Sequence, residues 1–410
     1  MSLRSLFIDF NAYFASVEQQ EQPHLRGRPI AVVPVLTKNA CCIAASYEAK
    51  KMGVKTGSIL HEAKKLCPDI KFVEARPAVY VRYHHRLVEL IKQCIPIAYV
   101  GSIDEMACEL IGREQQRAHA IIIAQSIKAK FNEHTPFIKA SIGIAPNHFL
   151  AKTATDMQKP DGLVVIEQHD LPNILYALKL RDLCGIGPAM EQRLHQQNIF
   201  TTEQLCTATN KRLHSIWGSI EGDRFYKKLR GEFVTESLTH EKKSISHSHV
   251  LAPELRNPAS AEAVLKKLLQ KAAMRLRNEK LVARQLHVKI KYLDAPSWRE
   301  FCYCDDVDDS HTLLLHLNQL LAQRPKHSKP FAVLVVLSNL CERVGTTDDL
   351  FAHNTDHSVL SSVMDTINQR FGFQKICYAS SQSAAKSAPM RIAFTRIPDV
   401  VQEDELFKRH

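Results

Sequence analysis

At 410 residues the chain is too long for one ordinary core and reads as two to four domains. Hydrophobic residues make up 45%, enough for each domain to bury a core, yet no apolar run approaches the length needed to cross a bilayer. Lys+Arg outnumber Asp+Glu by 54 to 43, a net charge of +11 that favours a polyanionic partner, nucleic acid being the commonest.

In chain order, residues 3–10 read as a buried strand ending in a carboxylate, Asp9. The N-terminus runs straight into that strand without a signal-peptide core, so a cytoplasmic protein is expected. Short strands follow at 28–35 and 40–45, then helical spacing at 47–51 and 59–66. An amphipathic helix is expected from 80 to 94, with Val81, Leu87, Leu90 and Ile91 on one face. Strands near 98–103 and 108–111, a helix at 117–131, a strand at 138–144 and a helix at 147–158 complete a mixed α/β unit, with 162–166 as its edge strand. Residues 171–231 read as several short helices separated by glycine and polar turns. The polar stretch 235–248 reads as a linker, and a basic helix at 261–278, a strand at 285–293, a helix at 311–321 and a strand at 332–337 suggest a small α+β domain. Eleven cysteines form no regular framework. Cys302-x-Cys304 is too tightly spaced for a standard zinc knuckle, so reduced thiols are expected.

The chemistry gathers at strand ends. Asp9 closes one apolar strand and Ser102-Ile103-Asp104-Glu105 closes another. Clustered carboxylates repel one another and need a cation among them, and Mg²⁺ suits an all-oxygen site. An acid alone at a strand end is usually a solvated cap, so the reading rests on the group.

These segments together resemble the Y-family DNA polymerases of the bacterial DinB/UmuC type. Asp-Phe-Asn-Ala-Tyr-Phe-Ala-Ser-Val-Glu at 9–18 is similar to the family's opening motif, and Ser-Ile-Asp-Glu at 102–105 to its second catalytic motif. Residues 47–57 resemble the finger motif, Ser141-Ile-Gly-Ile144 and 151–162 the later palm motifs, and Cys184-Gly-Ile-Gly-Pro188 the thumb hairpin. Six blocks in the family's order carry far more weight than any one of them. The resemblance implies a multidomain α+β right-hand polymerase with a mixed α/β palm (1–18 and 76–168) and small fingers (19–75). A helical thumb with a helix–hairpin–helix turn (169–232), a linker (233–245), an α+β little finger (246–340) and a C-terminal tail (341–410) would follow.

Roles carry over residue by residue. Asp9 and Asp104 would bridge two Mg²⁺ ions, with Mn²⁺ as a substitute; Glu105 would hold the catalytic ion, assisted by the Phe10 carbonyl. Phe14 occupies the steric-gate position against a ribose 2′-hydroxyl, and Tyr47, Lys50 and Lys159 would contact the triphosphate of a deoxynucleotide. Gly185 and Gly187 would let the thumb backbone approach primer-template phosphates, and Lys266, Lys267, Arg275 and Arg277 on the basic helix would grip the same duplex. The family's clamp-docking peptide reads here as Thr347-Asp-Asp-Leu-Phe351, keeping Leu350 and Phe351 as apolar anchors for the replication sliding clamp; Glu405-Leu-Phe407 is a weaker second copy. The implied function is error-prone, template-directed translesion synthesis by a monomer that could take an accessory subunit. Its rival is a catalytically silent family member acting as a DNA- and clamp-binding scaffold. Asn11-Ala12 and Lys50 lean towards the UmuC-like branch and Tyr47 towards the DinB side, which leaves the branch open.

Overall fold

The computed structural model describes residues 2–37, 40–234, 242–325, 328–343, 357–372, 375–385, 387–388 and 397. The chain divides into two compact units near residue 238. Among the described residues no helix is long and apolar enough to cross a membrane.

The first unit runs β1 (Ser5–Phe10), α1 (Tyr13–Glu21), β2 (Ile30–Val33), β3 (Ala44–Ala45), α2 (Tyr47–Lys51), α3 (Leu60–Leu66), β4 (Lys71–Glu74) and α4 (Pro77–Lys92). It continues with β5 (Tyr99–Val100), β6 (Glu105–Glu109), α5 (Arg117–His134), β7 (Ala140–Ala145), α6 (His148–Met157) and β8 (Leu163–Val165). The short helices α7 (Pro188–Gln196), α8 (Thr202–Thr207), α9 (Asn210–Trp217) and α10 (Ile220–Leu229) close it.

Five strands form the palm sheet in the order β5-β6-β1-β7-β8, with β1 antiparallel to both neighbours. Both faces of β1 are covered, which is why its sequence shows no polar alternation. Phe10 meets Phe131 of α5 on one side, and Phe7 packs among Phe149, Leu150 and Ala151 of α6 on the other. Asp9 therefore points to the α6 side, the parity of Phe7. Helix α6 lies so close to β7 that a Cβ on Gly143 would stand 2.0 Å from the Ala151 carbonyl oxygen. The apolar face read for α4 is real, with Val81, Leu87, Leu90 and Ile91 all buried. Glu18, fully buried on α1, is held by Arg76, Tyr80 and Gln22, so the opening motif is bolted to the start of α4.

Strands β3-β2-β4 make a separate small sheet whose own core includes Ala31, Val33, Ala49, Ala63 and Ile70, within the stretch expected to form the fingers. The thumb has no independent core. Leu180, Leu194, Leu205, Leu213 and Phe225 pack in one continuous cluster with Phe7, Ala107 and Phe149 of the palm.

The second unit comprises β9 (Ser244–Val250), α11 (Pro258–Asn278), β10 (Leu281–Tyr292), β11 (Trp298–Val307), α12 (Ser310–Leu321), β12 (Pro330–Glu342) and α13 (Ser358–Phe371). Its antiparallel sheet has the order β11-β10-β12-β9, with α11 and α12 packed on one face. Three sequence expectations change here. The linker reading fails at its end, because Ser244 and Ile245 already pair with Ser338 and Leu337 in the sheet. Strand β11 went unread because its outward residues include Arg299, Phe301 and Tyr303, which blur the polar alternation. The C-terminal segment is not simply a tail: Ala384 and Ala388 join the core, and Asp365 on α13 ties back to α11.

Candidate active site

Sheet register assembles the acids. Asp9 lies opposite Glu105 on β6 and opposite Ser141 on β7, so Asp9 and Glu105 share one face. Asp104 precedes β6, and its carbonyl accepts a 2.9 Å hydrogen bond from the Phe10 N–H, which fixes the two acidic segments side by side. Ser102 Oγ donates to Asp104 Oδ1 at 2.5 Å. From α4, buried His84 Nδ1 donates to the Ile103 carbonyl at 2.8 Å and pins the turn that presents both acids.

Two lysines stand among the carboxylates. Lys159 Nζ is 2.9 Å from Asp9 Oδ2 and 2.8 Å from Asp156 Oδ1, while Lys152 Nζ on α6 is 2.7 Å from Glu105 Oε2. Burial works against the charge on both lysines, but their carboxylate partners outweigh it and hold each ammonium above its ordinary range. Asp9 is pushed up from 3.8 to about 6, chiefly by burial, with Lys159 pulling down and Asp104 and Glu105 adding to the rise. Asp104 is raised too, again by burial first, against the Ser102 hydrogen bond.

A folded-state value above the unfolded one means the folded chain binds the proton more tightly. The Asp9 contribution to metal-free stability is therefore greatest below pH 3.8 and is lost as pH rises through about 6. The full span corresponds to roughly 3 kcal/mol before any relaxation. The expected result is that Asp9→Asn narrows its deficit, or gains on wild type, as pH rises from about 4 to 7 in chelator. Denaturant titrations at several pH values check this, and parallel pH profiles for the two chains would remove the assignment.

The all-oxygen donor set of Asp9, Asp104 and Glu105 fits Mg²⁺ or Mn²⁺ in chemistry. Tyr47 and Lys50 both lie on the short helix α2, with Lys50 Nζ 4.5 Å from the centre of the Tyr47 ring. Burial and then the neighbouring Lys159 lower Lys50, and burial raises Tyr47. The predicted phosphate group thus meets at one place beside Asp9. Phe14 is only 2% exposed, with its ring 4.9 Å from that of Tyr80 and 5.7 Å from that of Tyr13, so it is a packed residue whose gate role rests on its place in the motif.

Sequence reasoning missed Lys152, Asp156 and Asn11. Buried Asn11 accepts from the Asp161 N–H at 2.8 Å and donates to Ser141 Oγ at 3.1 Å, so it anchors the turn that follows Lys159. The signal was there: Lys152 and Asp156 are one helical turn apart on α6 and share a face.

In the thumb, Gly185 has φ +90° and Gly187 caps α7, with nothing within 4 Å of where its Cβ would be, so the backbone there is open to a ligand. At the other glycine-bearing stretch of the thumb, 216–222, the backbone is closed instead: Gly222 lies inside α10, where a Cβ would meet the Leu213 carbonyl at 2.3 Å.

The basic helix α11 is a correction. Lys267 is fully buried and donates to the carbonyls of Ala385 and Ser387 at 2.6 Å each. Lys266 pairs with Glu262, Arg277 makes a two-pronged bridge to Asp365, and Arg275 reaches His247 at 3.4 Å. Lys267 and Arg277 thus turn to the C-terminal segment, while Lys266 pairs within its own helix and Arg275 with β9. The open face of the sheet is instead basic and aromatic: His287, Lys289 and Lys291 on β10 lie beside Arg299, Phe301 and Tyr303 on β11. Phe301 and Tyr303 are 48% and 73% exposed. Leu350, Phe351 and the segment 405–407 lie outside the described residues.

Comparison with known proteins gives a consistent result. Residues 8–156 match the impB/mucB/samB family, 242–348 match that family's C-terminal domain, and 181–232 match the thumb domain of DNA polymerase-iota. DNA polymerase IV of Moorella thermoacetica is 31% identical over 389 residues, covering 93% of this chain and 96% of its own. DNA polymerase IV 1 of Bacillus subtilis is 26% identical over 410 residues, covering 97% of each. Among solved structures, a Y-family DNA polymerase chimera aligns with a TM-score of 0.70 at 24% identity, over 83% of this chain and 99% of its own. An insertion ternary complex of Dbh DNA polymerase aligns with a TM-score of 0.58 at 25% identity, over the same shares.

Proposed function

This chain belongs to the impB/mucB/samB family and is a DinB-type Y-family DNA-directed DNA polymerase of translesion synthesis, and on that premise we propose that it extends a primer at the Asp9, Asp104 and Glu105 centre. The observation that carries the site is the register that sets Asp9 opposite Glu105, with Asp104 hydrogen-bonded through its backbone to Phe10. Two Mg²⁺ ions bound by the three carboxylates and the Phe10 carbonyl would activate the primer 3′-hydroxyl and stabilise the departing pyrophosphate. The lysines already beside the acids do the complementary work. Lys159 and Lys50, with the Tyr47 hydroxyl, bind and orient the triphosphate of an incoming deoxynucleotide. As Lys159 turns to phosphate, Asp9 loses its present counter-charge and becomes available as a ligand. Lys152 stays on Glu105 and fixes its orientation.

Gly185, Gly187 and the start of α7 hold primer-template phosphates through backbone N–H groups, without regard to sequence. The open sheet face of the second unit, with Lys289, Lys291 and Arg299, takes the duplex role first assigned to α11. Low fidelity, a cytoplasmic location, a monomeric state and docking of Leu350 and Phe351 to the sliding clamp belong to the same reading and are supported by the family resemblance.

The deciding experiment is primer extension by the purified full chain on an undamaged template with all four deoxynucleotides. Extension that stops in EDTA and returns with Mg²⁺ or Mn²⁺ is expected. No extension despite tight primer-template binding would make the chain a silent scaffold. A second expected result concerns the sugar: Phe14→Ala should narrow discrimination against ribonucleotides by at least about 10-fold, or about 1.4 kcal/mol. Single-nucleotide kinetics with matched ribo- and deoxynucleotides check this, and unchanged selectivity in a folded variant would return Phe14 to the core.

A further inference from the structure

The second unit holds a group of side chains that the polymerase reading does not use. Cys302 and Cys304 stand two residues apart on β11, and Cys302 lies opposite Leu286, a core residue of the sheet. Residues i and i+2 of a strand share a face, so both thiols turn to the helix-covered side. There α12 brings in His316, and the two Sγ atoms and an imidazole nitrogen all lie within 4.8 Å of one another. In tetrahedral zinc sites, with bonds of ~2.3 Å to sulfur and ~2.0 Å to nitrogen, ligand atoms stand roughly 3.5–4 Å apart. The observed triangle needs only rotamer-scale closure to match.

We propose that Cys302, Cys304 and His316 form a binding site for a thiophilic divalent cation, Zn²⁺ foremost, separate from the carboxylate centre. The donor chemistry selects the class: two sulfurs and one imidazole favour Zn²⁺ and disfavour Mg²⁺, which needs oxygen. The sequence spacing that excluded a zinc knuckle does not apply, because the third ligand comes from a different element. The site is supported from outside its first ligands. Gln319 lies one helical turn on from His316 on α12, beside the imidazole, where a side-chain contact can fix ring orientation as in zinc sites. Cys304 is buried while Cys302 and His316 are half-buried, so an ion has a way in and water can fill the fourth position. β11 is the edge strand of its sheet, and the bound ion would clamp that edge to α12.

The test uses the full-length chain, stripped with chelator, in buffer without Mg²⁺, with Co²⁺ as the probe. One equivalent should give tetrahedral cobalt absorption with thiolate charge transfer, and Zn²⁺ should displace it. Cys302→Ser and His316→Ala should each weaken that equivalent by more than about 10-fold and Gln319→Ala by about 10-fold. The Asp104→Ala chain should bind it as wild type does. Thermal melts without metal establish that each variant is folded, and Zn²⁺ should raise the wild-type melting temperature but not that of Cys302→Ser. Absence of thiolate–cobalt absorption in wild type overturns the proposal. So does absorption that survives both ligand substitutions, which would place it on other cysteines.

Discussion

Replacing Asp104 by alanine should cut primer extension at least about 10³-fold, equivalent to about 4 kcal/mol of transition-state stabilisation, while leaving a folded chain that still binds primer-template. The geometry separates the two effects. The Asp104 backbone carbonyl, which accepts from Phe10, survives the substitution, so the junction of β1 with the acidic turn remains. What disappears is a carboxylate whose pKa burial already raises above its ordinary value, so its removal relieves a cost in the metal-free fold. Activity should collapse while the melting temperature in chelator holds or rises. Single-turnover extension and thermal melts on the same preparation measure both. A fall of less than about tenfold, or a large loss of stability, would show that Asp104 is structural.

Gly143→Ala should produce the opposite pattern, with stability lost first. A Cβ there would meet the Ala151 carbonyl at 2.0 Å, the Ala154 Cβ at 2.8 Å and the Thr155 N–H at 2.9 Å, all on α6. Two of the three are backbone atoms, so no rotamer change relieves the clash and α6 must move as a body. The cost should be about 3 kcal/mol or more, a drop of roughly 6–12 °C in melting temperature for a unit of this size. Activity should fall even where the variant stays folded, because α6 carries Lys152 to Glu105 and Asp156 to Lys159. Gly187→Ala is the control: nothing lies within 4 Å of its Cβ position and its φ of −86° suits alanine, so the melting temperature should stay within a few degrees. Equal losses at the two glycines would refute the packing argument.

The candidate acids and the palm were legible because local sequence carries them. Asp9 comes near the end of an apolar strand as read, whereas the Ser102–Glu105 segment, expected to close a strand, is the turn that leads into β6 and starts it at Glu105. Lys152 was less legible, since it is an ordinary basic residue until α6 is laid across the sheet, and Lys159 was read as a triphosphate contact and not as the partner of Asp9. Helix α11 was misread for a physical reason. Its lysines and arginines resemble a solvated face, and only the chain more than 80 residues downstream shows that Asp365 receives Arg277 and the carbonyls of Ala385, Ser387 and Ala388 receive Lys267 and Lys271. A charge is placed by its partner, and a distant partner leaves no trace in local periodicity. The Cys302, Cys304 and His316 group was hidden in the same way, because two elements contribute to it.

The continuous palm–thumb cluster has a consequence for how such enzymes diversify. A segment that owns its core can be exchanged between relatives as a cassette, since its interior travels with it. Residues 244–343 with their C-terminal cover meet that condition. The helices from 180 to 229 do not: Leu194, Leu205 and Phe225 fill space that Phe7 and Phe149 define. Lineages should therefore inherit palm and thumb together, with substitutions in one answered in the other, while recombination finds its tolerated seam beyond residue 234.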